Sequence, residues 1–229
     1  FVLDIEECLA NDGIWHFEQS YMPSMLKTNS YDTICHEHLE FYSLKVVKDL
    51  LEECGLRILD VQMNSINGGS FAITAAKNLS SYKSNNTIIK WLLNQENEMG
   101  LDTIKPYKEF SERAFLHRKN LTDLINALVA DGKKIFGYGA STKGNVLLQF
   151  CGLTEKEIPF IAEVNEEKFG CYTPGSNIPI ISEKEAKAMN PDYFLVLPWH
   201  FKDNILAREE EYIMNGGKFI FPLPEIIII

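Results

Sequence analysis

The first 77 residues mix helical and extended hydrophobic patterns. Residues 3–9 carry apolar side chains at helical spacing and stop before Asn11-Asp12-Gly13, which predicts a short helix. Residues 14–18 read as a strand that ends in an acidic side chain. Residues 21–29 then predict a loop or a short helix.

A capped helix and a hairpin are predicted next. Ser43 is suited to cap a helix over 44–54. The apolar face of that helix would bury Leu44, Val47, Leu50 and Leu51. Residues 57–63 and 71–76 predict two strands, and the glycine-rich run 67–70 predicts the tight turn between them.

The composition changes in the middle of the chain. Residues 77–86 are rich in Ser, Asn and Lys and predict a linker, which is followed by helices over 87–100 and 107–131. The second helix has a broad apolar stripe of Phe110, Phe115, Leu121, Leu124, Ile125 and Leu128. Such a stripe predicts packing rather than chemistry.

From residue 133 onward, short strands alternate with helices. The predicted strands are 134–138, 158–164, 193–197 and 218–221. The predicted helices are 142–150, 183–189 and 203–214. This alternation predicts a parallel sheet with helices on both faces.

Charge and cysteine usage exclude some classes of function. The 229 residues carry a net charge of -10, which disfavours nucleic acid or an anionic membrane surface as the main partner. The five cysteines are scattered without a C-x-x-C pair, which predicts reduced thiols in a cytoplasmic protein. No apolar run approaches the roughly 20 residues that cross a bilayer.

Candidate chemistry is concentrated in residues 31–44, where His36, Glu37 and His38 are consecutive. Histidine titrates near neutrality, and a neighbouring carboxylate can orient it, so the group can abstract a proton. A metal site would need a third ligand, which His16, His117 or His200 could supply only through the fold. The metal interpretation is therefore the weaker one.

A second candidate site is the glycine-rich loop 137–144 between a predicted strand and a predicted helix. Backbone amides at such a junction favour an anion. The dinucleotide fingerprint needs its third glycine at Thr142, but the glycine falls at Gly144. Glu163, at the end of the next strand, could still bind a ribose hydroxyl. Diphosphate binding, a nicotinamide site and a turn needed only for packing all stay open.

Five motifs occur in the order found in a known family. The chain resembles S-adenosylmethionine-dependent C-methyltransferases that act on nucleotide-linked keto-sugars. The matching segments are 31–44, 67–71 (NGGSF), 137–145 (GYGASTKGN), 173–180 (TPGSNIPI) and 197–201 (LPWHF). Together they extend over nearly the whole chain, which makes the resemblance specific.

The resemblance implies an α/β fold, with a partial class I methyltransferase sheet followed by a Rossmann-like parallel α/β domain. Residues 1–77 would be the rear half of the methyltransferase domain, 78–131 a linker with connecting helices, and 132–229 the Rossmann-like domain. Most of the S-adenosylmethionine site would then lie upstream of Phe1, with Glu18 as the cofactor-binding position in this chain. The chain would be a fragment with little activity alone.

The resemblance also implies a reaction, the C-methylation of a nucleotide-linked 4-keto-6-deoxy sugar. His38 would remove the acidic hydrogen beside the ketone with Glu37 as its support, and the enolate would attack the sulfonium methyl group. The family usually has Tyr where this chain has Cys35, and a thiol is a poor hydrogen-bond donor. The implied substrate-binding residues are His36, Asn67, Gly68, Ser70, Gly139, Ser141, Lys143, Asn145 and Trp199.

Two other classes of function remain at this stage. A non-catalytic sugar-nucleotide-binding module would bind the same sugar nucleotide and would keep its function after His38→Asn. A nicotinamide-dependent oxidoreductase would use loop 137–144 and Glu163 for its dinucleotide. Neither the methylated carbon nor an oligomeric state follows from these motifs.

Overall fold

The computed structural model describes residues 1–65 and 68–229, which form two compact units. Unit 1 comprises Phe1–Thr28 and Glu40–Phe110, and unit 2 comprises Asn29–Leu39 and Ser111–Ile229. Residues 29–39 contain His36, Glu37 and His38, which we call the His/Glu cluster. This segment thus belongs with the C-terminal part of the chain. The domain boundaries inferred from the sequence stay a prediction.

Unit 1 contains a three-stranded antiparallel sheet. Its elements are α1 (Val2–Cys8), β1 (Ile14–Ser20), α2 (Met22–Thr28), α3 (Leu44–Glu53), β2 (Leu56–Asn64), β3 (Ser70–Lys77) and α4 (Asn86–Met99). The strand order is β1-β3-β2, and β3 runs antiparallel to both neighbours. The strand prediction and the antiparallel pairing of the two hairpin strands are confirmed.

The core of unit 1 lies between the sheet and helices α3 and α4, both of which contact β2. The fully buried face of α3 carries Leu44, Val47 and Leu51. Leu50 was predicted to be buried with them, but it is 38% exposed. It lies one residue before Leu51 and about 100° around the helix, off the row that faces the sheet.

The start of α3 is fixed by a buried carboxylate from α4. Glu96 is 3% exposed and accepts hydrogen bonds from the backbone N–H groups of Leu44 (2.6 Å) and Lys45 (2.9 Å). The Tyr21 hydroxyl also donates to Glu96, at 2.8 Å. Ser43 caps the same helix end, as predicted. These bonds satisfy N–H groups that a helix leaves unpaired at its N-terminus.

Arg57 of β2 makes several of the hydrogen bonds that hold the segment after β3 to that strand. Arg57 donates from Nη1 to Ser84 Oγ at 2.8 Å and from Nη2 to the carbonyl of Tyr82 at 2.5 Å. Asn85 then caps α4 with its side chain. The polar residues of segment 77–86 therefore form turns that are hydrogen-bonded to the sheet.

Unit 2 is an α/β unit that begins within a long helix. Its elements are α5 (Lys105–Ala130, which starts in unit 1), β4 (Ile135–Tyr138), α6 (Thr142–Cys151), β5 (Ile161–Glu163), β6 (Ile180–Ser182), α7 (Glu183–Ala188), β7 (Tyr193–Val196), α8 (Lys202–Arg208), α9 (Glu210–Met214), β8 (Lys218–Phe221) and β9 (Ile227–Ile228). The strand order is β6-β5-β4-β7-β8-β9, parallel except for β9. The predicted parallel sheet is confirmed.

Three details of unit 2 differ from the sequence prediction. The strand expected over 158–164 is only three residues long, and β6 and β9 were not predicted. The helix expected over 203–214 is interrupted at Glu209, whose buried carboxylate accepts hydrogen bonds from Tyr138 and Arg208. These long-range bonds leave no trace in local hydrophobic spacing.

The buried face of α5 is narrower than predicted and contains a histidine. Ala114, His117, Leu121 and Ile125 follow one another at helical spacing and are buried. Phe115 was assigned to the stripe but is 56% exposed, because it lies next to that row. The polar His117 in this row contacts the segment that carries the His/Glu cluster.

In the sheet of unit 2, the order of the strands along the chain reverses between β4 and β7. Parallel sheets bind ligands in the crevice beyond the carboxyl ends of the strands at such a point. The loops that follow β4 and β7 contain residues 139–141 and 197–201. Both segments belong to the motifs singled out in the sequence.

Candidate functional site

Residues 29–39 enter unit 2 through a buried 3-10 turn, Tyr31–Thr33. Asp32 is 1% exposed, and its Oδ2 accepts a hydrogen bond of 2.7 Å from Nε1 of Trp199. Trp199 is itself 8% exposed. Its indole N–H is therefore engaged within the protein, and its predicted contact with substrate stays a prediction.

Cys35 and the three cluster residues that follow it differ in exposure. Cys35 and His38 are half-buried, whereas His36 and Glu37 are exposed. The backbone N–H of His38 donates to the carbonyl of Cys35 at 3.1 Å. The imidazole of His38 is thus carried by a tight turn in which Glu37 is its immediate neighbour.

A cavity of about 370 Å³ is lined by residues 34–36 and by helix α6, and Glu37 and His38 are not among its lining residues. We call it the Cys35 cavity; its lining residues are Ile34, Cys35, His36, Thr142, Asn145, Val146, Gln149, Phe150 and Pro174. Two motifs that are far apart in the sequence therefore line one space. The structure brings together two of the predicted substrate-binding residues, His36 and Asn145, at this cavity.

The glycine-rich loop between β4 and α6 is shaped by close packing on the end of β7. Gly139 has φ +81, and a Cβ on it would lie 2.8 Å from the ring carbons of Pro198. A Cβ on Gly144 would lie 2.6 Å from Leu197 Cβ. Ser141 caps α6 by accepting from the N–H of Gly144. Packing alone accounts for both glycines.

Lys143 is the cationic side chain in the first turn of α6 and is half-buried. Burial lowers its pKa, and the nearby carboxylate of Asp32 opposes that effect. Asn145, two residues further along α6, has a buried Oδ1 with no hydrogen-bond partner within residues 1–65 and 68–229. An unpaired buried acceptor at a cavity wall is suited to a donor group on a ligand.

A second cavity, of about 350 Å³, occupies the crevice beyond β4, β5 and β7. Gly139, Ser141, Glu163, Pro198 and Arg208 are among its lining residues. The predicted loop residues Gly139 and Ser141 thus face this crevice, whereas Asn145 lines the Cys35 cavity. Residues 139–141 thus line the crevice, and the first turn of α6 lines the Cys35 cavity.

Glu163 has the position that a ribose-binding acid would take, but its carboxylate is already occupied. Its Oε2 accepts from the N–H of Ala140 at 2.9 Å, and its Oε1 accepts from Val164 (2.7 Å) and Asn165 (3.0 Å). Burial would raise the pKa of Glu163, but these N–H groups and the Lys168 ammonium hold it below its usual range. The carboxylate of Glu163 therefore stabilises the conformation of the glycine-rich loop.

An ionic network below the crevice was not found by sequence reasoning. Tyr138 donates to Glu209 at 2.8 Å, and Arg208 and Lys187 form ion pairs with both Glu183 and Glu209. The two positive and two negative charges of this network compensate one another. No motif or spacing marks these residues, because the sheet topology alone brings them together.

The remaining predicted residues lie in unit 1. Glu18 is exposed at the end of β1 and accepts from the Asn64 side chain at 3.0 Å. Ser70 is 1% exposed and pairs in register with Ser20, and Gly68 lies in the turn before β3. Asn67 lies outside the described residues. The roles assigned to all four stay predictions.

Two further searches included only the residues that the structure describes. Within them, no three His, Cys, Asp or Glu side chains are grouped so that they could hold a metal ion. In the same part of the chain, no helix combines the length and apolar character needed to cross a membrane.

Comparison with known proteins gives the family. Residues 65–224 match the family model described as the C-methyltransferase C-terminal domain. The protein C-methyltransferase NovU of Streptomyces niveus is 38% identical over 221 residues, which is 96% of this chain and 52% of that protein. The chain therefore spans about half the length of that curated relative. With most of its residues matched by the family model, the chain belongs to the C-methyltransferase family, as its five motifs predicted.

Proposed function

We propose that this chain binds a nucleotide-linked keto-deoxysugar and abstracts a proton from it for C-methylation by S-adenosylmethionine. The observation that carries the proposal is the Cys35 cavity, which Cys35 and His36 line together with residues of α6. His38 follows this lining two residues further along the chain. Family membership supports methyl transfer to carbon as the class of reaction.

In this proposal His38 is the base. Its imidazole is half-buried and follows directly after the exposed carboxylate of Glu37, which can stabilise the imidazolium that forms. The proton beside the ketone passes to His38, and the electron pair left on carbon delocalises onto the ketone oxygen. When bound, S-adenosylmethionine would supply an electrophilic methyl group for that carbon.

The first turn of α6 is the proposed binding site for the diphosphate. Lys143 supplies a cation there, and the helix N-terminus adds a partial positive charge. The unpaired Oδ1 of Asn145 is suited to accept a hydrogen bond from a sugar hydroxyl. The nucleoside would extend past Ser141 towards the crevice, while the sugar lies in the Cys35 cavity.

The chain matches only 52% of the length of its C-methyltransferase relative, so a large part of the donor site can lie elsewhere in the protein. Glu18 is an exposed carboxylate already paired with the amide of Asn64, and it could supply one contact. We propose that most of the donor site is formed outside these 229 residues. This chain on its own is then expected to bind the sugar nucleotide while transferring little methyl.

The nicotinamide interpretation is less well supported than this one. Three backbone N–H groups and Lys168 already saturate the carboxylate of Glu163, which would have to bind the ribose. A non-catalytic binding module remains the rival that the experiment must separate. It shares the sugar-nucleotide site but has no use for a base at His38.

The test is methyl transfer from labelled S-adenosylmethionine to a thymidine-diphosphate keto-sugar by the whole encoded protein. We expect transfer by the unaltered protein, and a loss of at least about a hundredfold in His38→Asn, the size typical of a general base. His16→Asn is the matched control, because His16 is exposed on β1 and has no proposed role. Sugar-nucleotide binding without any transfer would favour the binding module.

A further inference from the structure

We infer that Tyr31 and Asp32 are positioning residues. Through His117 and Trp199 they fix residues 33–38 on the sheet of unit 2. For its catalytic meaning this inference rests on the proposed function. The structural part of the inference is a tether made of two buried hydrogen-bonded connections. Its effect on the mobility of residues 33–39 can be measured without any substrate.

The first connection runs from Tyr31 through His117 to Pro222. The Nε2 atom of His117 lies 2.5 Å from the carbonyl oxygen of Pro222, which can only accept, so Nε2 carries the proton. Burial lowers the pKa of His117, which keeps the ring neutral and leaves Nδ1 as an acceptor. The Tyr31 hydroxyl, 2.9 Å away, is therefore the donor to Nδ1.

Aromatic packing supports this first connection. Tyr31 is 4% exposed, and its ring lies 5.4 Å from that of His117 and 4.9 Å from that of Phe150. His117 comes from α5, Phe150 from α6, and Pro222 directly follows β8. Tyr31 thus contacts two helices of unit 2 directly and is connected to the end of β8 through His117.

The second connection joins Asp32 to Trp199. Oδ2 of Asp32 accepts the indole N–H at 2.7 Å, whereas its Oδ1 is buried without a partner among the described residues. Burial raises the pKa of Asp32, and the indole N–H and Lys143 oppose this. A half-satisfied buried carboxylate costs stability, and an apolar side chain would pack there without that cost. A directional role explains why an acid is present.

Backbone hydrogen bonds between residues close in sequence connect the 3-10 turn to His38, the proposed base. The N–H of Ile34 donates to the carbonyl of Tyr31 at 3.0 Å, and that of Cys35 donates to Thr33 at 3.0 Å. His38 then bonds back to Cys35. A shift of the 3-10 turn therefore moves His38, and a displacement of about 1 Å can cost about a hundredfold in rate.

Hydrogen–deuterium exchange of this chain tests the tether directly. Trp199→Phe and Tyr31→Phe each remove one hydrogen-bond donor and keep the aromatic ring. We expect amides 33–39 to exchange about tenfold faster in each variant, while the strands of unit 2 keep their protection. Trp91→Phe and Tyr172→Phe, at sites 55% and 58% exposed, should leave these amides unchanged.

Two substitutions of Asp32 add a rescue test. Asp32→Asn keeps an acceptor for the indole N–H and should exchange like the unaltered chain at 33–39, whereas Asp32→Ala should behave like Trp199→Phe. Unchanged exchange in Trp199→Phe and Tyr31→Phe would overturn the inference. So would uniformly faster exchange throughout unit 2, because that pattern indicates a role in stability alone.

The kinetic consequence is tested in the whole encoded protein. Trp199→Phe should lower kcat about tenfold or more at nearly unchanged KM for the methyl donor, since the base is misplaced while the donor site is intact. Faster exchange at 33–39 with unaltered kcat would overturn the positioning role. If the unaltered protein transfers no methyl, the proposed function fails, and the exchange result still decides the tether.

Discussion

The carboxylate of Glu163 accepts a hydrogen bond from the backbone N–H of Ala140, with 2.9 Å between Oε2 and the nitrogen. The end of β5 is thereby tied to the glycine-rich loop that begins α6. In a dinucleotide-binding sheet an acid near this position would face the ribose. Here it stabilises the loop.

Replacing Glu163 should therefore disturb the loop rather than a nicotinamide site. We expect Glu163→Ala to weaken binding of a thymidine-diphosphate sugar about tenfold, because the N–H of Ala140 loses its charged acceptor. Glu166→Ala, an exposed neighbour, is the control. Titration calorimetry measures the affinity. A fluorescence change of reduced nicotinamide cofactor that requires Glu163 would contradict this account.

Gly139 tests how closely the loop packs on β7. Gly139→Ala should destabilise the chain by about 3 kcal/mol, since it combines a positive φ with a clash against Pro198. Gly152→Ala has a similar φ of +67 with open space around it, and it should cost only about 1 kcal/mol. Urea unfolding measures both values. Equal losses would show that the contact with Pro198 is unimportant.

Local sequence patterns predicted those elements that are determined by residues close together in the sequence. Ser43 caps α3, the strands on either side of the glycine-rich run pair as β2 and β3, and the alternation after residue 133 became a parallel sheet. The predicted burial was wrong at Leu50 and Phe115, because each lies next in sequence to a residue of the buried helix face rather than on that face. Strands of two or three residues, such as β6 and β9, are too short to give a periodic signal.

The candidate site was also predictable only in part, because some of its contacts join residues that are far apart in the sequence. The motifs marked His38 and Lys143, because such chemistry depends on residue type and spacing. The bond between Asp32 and Trp199 joins residues 167 positions apart, and no local pattern encodes it. The interruption at Glu209 likewise comes from side chains that the sheet brings together.

Glu96 should be a major contributor to the stability of unit 1. Glu96→Ala leaves two backbone N–H groups and the Tyr21 hydroxyl without their acceptor, so we expect a loss of about 3 kcal/mol. Glu98→Ala, exposed on the same helix, should cost less than about 0.5 kcal/mol. Thermal and urea unfolding check the difference. Similar losses in the two variants would contradict the capping role.

Stability should fall in mild acid because of His200. Burial, with the nearby Lys143, lowers the pKa of His200 from 6.5 to about 4. The folded state thus favours the neutral ring, so its contribution is complete above pH 6.5 and is lost as the pH falls towards 4. Asp32, whose pKa burial raises, acts in the opposite direction. The comparison with a His200 variant isolates the histidine.

Thermal unfolding at pH 7 and pH 5 measures this effect. The decrease in Tm between the two values should be smaller in His200→Asn than in the unaltered chain, because the variant has no ring to protonate. His16→Asn, at an exposed site, should keep the full decrease. A decrease of the same size in all three proteins would contradict the assignment.

The central claim is that His38 abstracts the proton beside the ketone, and exchange of that proton with solvent tests it without a methyl donor. The chain is incubated with a thymidine-diphosphate 4-keto-6-deoxy sugar in D2O, and deuterium incorporation is followed by NMR. We predict incorporation at the carbon next to the ketone, retained in His16→Asn and lowered at least about a hundredfold in His38→Asn. Incorporation that persists in His38→Asn, or none above the buffer rate while the sugar nucleotide is bound, would contradict the account.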